Sequence, residues 1–421
     1  MKNSLPIGPV LVLLCVAWCS DALADWPQWR GPTRDGVVGE VEWPKTLSDE
    51  VLKPVWRVGL AEGYPGPVIS DGRVFTVETL DAKDEVVRAF DLKTGEQLWK
   101  QRWPGAMKVP FFAKRNGSWI KATPACDGER LYVMGMLDVL VCLDAKTGEK
   151  LWSVDFKERY GTNGPMFGQP CSPLIDGDAV YVQAGLSVCK LDKMTGKTIW
   201  RSMHDARDFI GGNFSSPVID TVAGKRQLLV QTRGELAGID LGTGGVLWRQ
   251  GIKAFRGMNI LPPTVVGDDH VFTSSYGGGS FLFKVTAGDD GSFAVNRVWS
   301  DEKLEGYMSS PLVIDGHLYL HGRDKKFRCI DVMTGGVKWT SEKEYGEYWS
   351  SVRNGDKVLA LDHDGTLRLI EATPTEFRIA AEHKIAKAET WAHVALDDDL
   401  LFIRELNALA VYRWAPPGGL D

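Results

Sequence analysis

From about residue 52 onward the chain is a succession of short apolar runs, each closed by a polar turn. Val139-Leu-Val-Cys-Leu143 leads into Asp144, and Leu151-Trp-Ser-Val154 follows Gly148. Short runs rich in β-branched and aromatic residues, separated by Gly and Asp, predict strands and tight turns rather than helices. Two turns alternate. One is Asp-Gly, at Asp71-Gly72, Asp127-Gly128, Asp176-Gly177 and Asp315-Gly316, each preceded by a Pro and an apolar pair. Asp-Gly between apolar runs is a strong hairpin signal. The other is Asp-x-x-Thr-Gly-x-x-x-Trp. It stands at Asp91/Thr94/Gly95/Trp99, Asp144/Thr147/Gly148/Trp152, Asp192/Thr195/Gly196/Trp200, Asp240/Thr243/Gly244/Trp248 and Asp331/Thr334/Gly335/Trp339. Asp accepts backbone N–H groups ahead of it, Gly takes positive φ, and Trp opens the next strand with a large face to pack on a neighbouring sheet.

Weaker copies of the first turn begin near Pro217, Pro263, Ser351 and Ala392. With them, eight units start at residues 67, 124, 173, 217, 263, 311, 351 and 392. A period of roughly 40 to 50 residues is the mark of a repeat array. Two hairpin turns per unit make about four short strands. The prediction is an all-β protein, an eight-bladed β-propeller of four-stranded antiparallel blades. The last unit ends at Leu409-Ala-Val-Tyr-Arg-Trp414, one strand short. An extra strand, Pro54-Val-Trp56-Arg-Val58, precedes the first unit. This N-terminal strand near Trp56 is predicted to complete the last blade, closing the ring and removing an exposed edge.

The second turn resembles the Ala-x-Asp-x-x-x-Gly-x-x-x-Trp signature of the pyrroloquinoline-quinone (PQQ) repeat family. Ala89-Phe-Asp91 matches even its first position, where Cys142, Lys190, Gly238 and Cys329 stand in the other copies. The opening Asp25-Trp-Pro-Gln-Trp29-Arg-Gly-Pro32 is similar to the start of secreted bacterial members. The resemblance spans about residues 52 to 414 and implies an eight-bladed propeller. The family holds quinoprotein dehydrogenases as well as non-catalytic scaffolds such as the BamB-type lipoproteins of outer-membrane assembly, so it implies a fold more narrowly than an activity.

Three segments are expected. Residues 1–24 read as a secretory signal: Lys2, an apolar core from Ile7 to Trp18, and Ala22-Leu-Ala24 as a small-x-small site cut after Ala24. Leu14 before Cys15 and Trp18 before Cys19 fit a lipid-attachment site badly. The expected location is periplasmic or secreted. Residues 25–51 form an arm predicted to wrap the propeller surface, with Arg30 and Arg34 pinning it by salt bridges. Residues 52–421 form the propeller. The net charge of −6, without basic clusters, argues against nucleic acid. Cys126, Cys142, Cys171, Cys189 and Cys329 all fall on predicted strands, where free thiols act as small buried hydrophobes.

The connections between units carry the unusual residues. Tyr64, Trp119, Phe167, Phe214, Asn259, Tyr307, Trp349 and Trp391 each stand just before an inner strand, so they are expected to ring one mouth of the central channel. Arg115, Arg207 and Arg256 would lie near its rim. This candidate site suits a flat acidic ligand or a peptide. Other motifs carry less. Asp362-His-Asp364-Gly365 and Asp397-Asp-Asp399 read as solvated turns, and His317 and His321 share a strand face without an evident third ligand.

The family resemblance also implies what a quinone enzyme would need: PQQ over a Trp, an adjacent-Cys disulfide above it, and calcium on carboxylate and amide oxygens. Asp208, Asn213, Asn259 and Glu347 are candidate oxygens, but no adjacent Cys pair follows residue 24. No hydrolase, zinc or phosphate-loop motif occurs. The expected function is therefore a non-catalytic scaffold of the cell envelope, binding an envelope protein or extended peptide, in outer-membrane protein assembly, with no cofactor. The alternatives are a dehydrogenase of alcohols or sugars using PQQ with calcium, and a carbohydrate- or peptide-binding module.

Overall fold

The computed structural model describes residues 25–39, 41–205 and 213–414. Its strands form eight four-stranded antiparallel sheets arranged as an eight-bladed β-propeller. Seven blades are continuous in sequence, at 68–104, 125–155, 174–202, 218–251, 264–301, 312–340 and 349–384. The eighth combines 395–414 with the strand Leu52–Gly59, which pairs antiparallel with Ala408–Trp414. The second strands of the blades are almost wholly buried, as Ala179–Ala184 shows. Outer strands such as Gln97–Pro104 alternate between exposed and half-buried. Hydrophobic core therefore lies between neighbouring blades rather than at one centre.

The recurrent turn does two jobs. Asp91 Oδ1 accepts the N–H groups of Lys93 (3.0 Å) and Thr94 (2.8 Å) and the Thr94 hydroxyl (2.9 Å). Asp144, Asp192, Asp240 and Asp331 hold their threonines the same way. These bonds keep the Asp91 carboxyl below the usual carboxylate range. Gly95 has φ 71°, and a Cβ there would lie 2.6 Å from the Trp56 ring. Gly148, at φ 77°, is pressed as closely by Trp99. The glycine thus supplies both the turn and the seat for the preceding blade's indole. Trp152 sits on Gly196, Trp200 on Gly244 and Trp299 on Gly335 in the same manner.

Each indole then donates into the next blade: Trp99 to Ala145 O (3.1 Å), Trp152 to Lys193 O (3.2 Å), Trp200 to Leu241 O (3.2 Å) and Trp339 to Thr373 O (2.8 Å). Trp56 makes this contact with Leu92 O (2.9 Å), so the closing strand also supplies blade eight's staple onto blade one. Trp248 differs. Blade five has no Thr-Gly turn to receive it, and its N–H donates to Gln227 Oε1 (2.7 Å) within its own blade.

Around the channel runs a second inter-blade device, in the residues before the recurrent prolines. Gly66 N donates to Thr123 Oγ1 (2.9 Å), Thr123 N to Ser172 Oγ (3.1 Å) and Ser172 N to Ser216 Oγ (3.0 Å). Trp349 N to Ser309 Oγ (2.9 Å) and Val394 N to Ser350 Oγ (2.8 Å) continue it. These amides lie on innermost segments with no further strand to pair them. Hydroxyls from a neighbouring blade satisfy them instead, from the following blade at Gly66, Thr123 and Ser172 and from the preceding one at Trp349 and Val394.

In every blade the first and last hairpin turns, Asp-Gly and Thr-Gly where those motifs occur, fall at one end of the ring, and the connections between blades fall at the other. Part of the arm runs over the outside, where Asp49 meets His383 of blade seven's outer strand at 3.1 Å, but its first half, residues 25–38, does not. That half enters the channel from the turn end: Trp26 and Ile69 exchange both backbone bonds (3.1 and 3.0 Å). It reverses near Pro32 and leaves beside blade seven, where Val38 N donates to Arg353 O (2.8 Å) and Arg353 N to Gly36 O (2.8 Å). Arg30 and Arg34 form no salt bridge among the described residues. Arg34 donates to Pro173 O (2.7 Å) and Ser172 O (3.2 Å), and Arg30 to Pro311 O (3.2 Å). Both guanidiniums also approach the Trp29 ring, at 5.6 and 5.3 Å. Backbone carbonyls exposed on the channel wall take the place of carboxylate partners. Burial pulls Arg30 down to about 10 and Arg34 to about 9, which leaves both charged at neutral pH.

Candidate functional site

The connection end opens into a funnel. Its upper chamber has a volume of about 380 Å³ and is walled by aromatic and aliphatic side chains with two cations, Lys121 and Arg256. A lower chamber of about 150 Å³ continues toward the plug, where Trp29, His393 and the belt residues Thr123, Ser172 and Ser216 surround it. His393 stands edge-on to Trp29 at 5.2 Å, and burial holds its imidazole neutral. Ser310 is 4% exposed on this wall, and its Oγ has no hydrogen-bond partner among the described residues.

The structure brings five of the expected ring residues onto the funnel wall: Tyr64, Phe167, Phe214, Tyr307 and Trp391, with Arg256 at the rim. Trp119 packs edge-on behind Tyr64 at 5.6 Å. Asn259 is buried and donates to Thr232 O (2.8 Å), while its neighbours Met258 and Ile260 face the cavity. Trp349 is turned into the blade six–seven core, and Tyr348 takes the channel position, stacked on Trp391 at 5.8 Å. Residues adjacent in an extended segment point to opposite sides, so one step of register exchanges wall for core. Arg207 and Asp208 lie outside the described residues.

The longest connection, 105–121, carries the 3-10 turn Phe111–Asn116 and leans over the mouth. Arg115 reaches Glu347, in the connection before blade seven, at 2.6 Å. Phe112 and Ala113 hang into the funnel beneath it. Phe111 meets Phe112 at 5.6 Å, Phe112 meets Phe167 at 6.0 Å, and Phe167 meets Phe214 at 6.2 Å. Phe111 is 88%, Phe112 58%, Phe255 51% and Met166 37% exposed. Single exposed apolar residues are ordinary, whereas a contiguous aromatic patch marks a contact surface. The sequence places Phe111 and Phe112 on the longest connection at the mouth, but not their exposure.

The root of this strap is held by a buried carboxyl. Glu85 Oε2 accepts the Trp103 indole N–H (2.9 Å) and Oε1 accepts Met136 N (2.6 Å), yet desolvation pushes the group up to about 7. A carboxyl at about 7 when folded and near 4.5 when unfolded favours the folded state fully at low pH. That contribution is lost as pH rises through about 4.5 to 7, by about 3 kcal/mol at most. Denaturant titrations from pH 4 to 8 are expected to show this decline, and a flatter profile in Glu85→Gln. An unaltered profile would assign the slope elsewhere.

The other candidate motifs resolve as structure. Asp362 is not a solvated turn residue: it is 1% exposed and accepts Arg368 Nη1 at 2.8 Å and Gly346 N at 3.1 Å. Asp397 is likewise 3% exposed. His317 Nδ1 faces Asp315 O, while His321 stacks on Trp349 and is pulled down to about 3 by burial. The five cysteines described are free and buried. Among the described residues, the donors a calcium-bound quinone would need are not brought together. Glu347 is engaged by Arg115, Asn259 is off the cavity, and no group of three or more His, Cys, Asp or Glu is placed to hold a metal among the described residues. Of the other two candidate donors, Asp208 lies outside the described residues and Asn213 is buried. No helix among the described residues is long and apolar enough to cross a membrane.

Comparison with known proteins agrees with this geometry. The profile of a family described as outer membrane protein assembly factor BamB matches residues 35–118 and 83–341, more than half of the chain. Outer membrane protein assembly factor BamB of Shewanella oneidensis is 23% identical over 424 aligned residues, covering 88% of this chain and 98% of the relative. Its counterpart in Moranella endobia is 22% identical, covering 76% and 78%. The crystal structure of BamB from Moraxella catarrhalis superimposes with a TM-score of 0.62 at 17% identity, covering 86% of this chain and all of that one, a likeness of fold. With its repeats, its eight blades and the matching profile in agreement, the chain belongs to the PQQ-repeat, BamB-like family of β-propellers.

Proposed function

We propose that this protein is a non-catalytic scaffold of the cell envelope that binds a partner protein at the mouth of its funnel, in the assembly of outer-membrane proteins. The observation that carries the reading is the exposed aromatic patch of Phe111, Phe112 and Phe255 beside Met166. All four stand on connections between blades, the part of the fold freest to vary. Relatives named as outer membrane protein assembly factors supply the cellular setting. Exposed Lys108, Lys114 and Arg256 around the patch favour a partner segment that is apolar at its centre and acidic at its flanks. The funnel beneath has room for an anchoring side chain of that segment. Export across the inner membrane, with the signal removed after Ala24, is part of the same reading.

The test is site-specific photocrosslinking in the native cell. A photoreactive residue at position 111 is expected to capture an outer-membrane assembly component, and one at Leu98, an exposed apolar residue on an outer strand, is not. Phe111→Ser with Phe112→Ser should reduce that capture at least tenfold and leave the melting temperature unchanged, since both rings are exposed. Equal capture from positions 111 and 98 would overturn the reading.

A further inference from the structure

At the turn end, where the arm enters, four carboxylates gather: Asp25, Asp397, Asp398 and Asp399. Three adjoining charges have partners or solvent. Asp25 accepts Ser70 Oγ (3.1 Å) and Asp71 N (3.2 Å), Asp399 pairs with Arg413 (3.0 Å), and Asp398 is exposed. Asp397 has neither. It ends the inner strand Ala395–Asp397 of blade eight, is 3% exposed, and its Oδ1 has no hydrogen-bond partner. No Lys, Arg or His among the described residues pairs with it. Burial and the like charges of Asp398, Asp25 and Asp399 push its carboxyl up to about 7. A buried carboxylate among acids and without a cation is strongly unfavourable. A divalent metal is not the answer, because no metal-holding group of carboxylates assembles there among the described residues.

Asp25, bonded to Ser70 and Asp71 at the same end of the neighbouring blade, is near enough for its charge to bear on Asp397. The strand Val68–Ser70, to which the arm is bonded, is the inner strand of blade one, next to blade eight in the ring. Asp25 is also the residue that follows the Ala22-Leu-Ala24 cleavage signal. We propose that cleavage between Ala24 and Asp25 creates the missing cation, and that the α-amino group of Asp25 pairs with Asp397 across the junction of blades one and eight. Hydrolysis of that peptide bond consumes one water and leaves a carboxylate on Ala24 and an ammonium on Asp25. Processing would then do more than release the chain. It would complete the electrostatics of the junction at which the ring closes, so the processed chain is more stable than one carrying residues ahead of Asp25.

The experiment compares two full-length processed chains that differ only at the amino end, one beginning with a free Asp25 and one with Gly-Ser ahead of it. A charge-assisted hydrogen bond contributes enough to shift a folding equilibrium about tenfold. Denaturant titration at pH 7 is expected to show the free-amine chain folding about tenfold more favourably, and that advantage should vanish in an Asp397→Asn background. Equal stability of the two chains, or an advantage that persists in Asp397→Asn, would overturn the proposal. Independently of how the variant folds, the α-amino group of the free chain should titrate above its ordinary value of about 8 when followed by NMR after ¹³C-methylation. An unshifted titration would also overturn it. Mass spectrometry of the exported protein separates the two premises, since a first residue other than Asp25 defeats this proposal and leaves the binding role at the mouth untouched.

Discussion

A chain lacking residues 25–59 is expected to lose its cooperative melt, or to melt far below the complete protein. The segment carries the outer strand of blade eight, paired in register from Leu52 with Trp414 to Gly59 with Ala408. Without it, the edge of Ala408–Trp414 is bare and Gly95 loses the Trp56 ring that covers it. The arm also buries Trp26, Trp43, Leu47 and Leu52, all 6% exposed or less. At about 2–3 kcal/mol for each buried large side chain, the loss is comparable with the whole net stability of an ordinary folded protein, about 5–15 kcal/mol. Removal of Trp29, Arg30 and Arg34 adds solvent to a channel wall whose carbonyls they satisfy. Far-ultraviolet circular dichroism against temperature reads the result. An unchanged transition would show that neither the arm nor the strand closes the ring.

Trp349→Ala is expected to cost about 3–5 kcal/mol in a denaturant titration, the range for removing a buried large aromatic side chain. Trp349 is 1% exposed and touches Tyr345 at 4.8 Å, Phe327 at 5.0 Å and His321 at 5.0 Å. Arg368 lies over its ring at 5.5 Å while paired with Asp362. Truncation leaves a void and frees one face of a buried guanidinium, so the penalty exceeds that of an apolar cavity alone. Partner capture through position 111 should persist at temperatures where the variant is folded. A cost under about 1 kcal/mol would mean that Trp349 belongs to the mouth after all and not to the core.

The blades were legible because their turns are local. Asp91, Thr94 and Gly95 satisfy one another within a few residues, and Trp99 reports its neighbour because every blade poses the same packing problem. Part of the hydroxyl belt was in the sequence too, as Thr123-Pro124, Ser172-Pro173 and Ser216-Pro217, but a small polar residue before Pro also fits a simple turn. The mouth was less legible. Whether Trp349 or Tyr348 faces the channel depends on one step of register in an irregular connection. The path of the arm depends on carbonyls of Ser172, Pro173 and Pro311, which belong to segments far along the chain. Contacts of that separation leave no periodic trace.

The plug at Trp29 gives the molecule a direction. A ring of blades encloses a tunnel, but here the arm stands across it, with the funnel on one side and a separate hollow of about 410 Å³ at the turn end, lined by Arg30, Thr33, Asp176 and Arg226. Asp25, bonded to Asp71, and Trp414, whose N–H donates to Asp399 O, both lie by the first hairpin turns of their blades, at the turn end. A tether joined at either end of the described residues would therefore start at the turn end and hold the funnel mouth outward, like a vessel held by its foot.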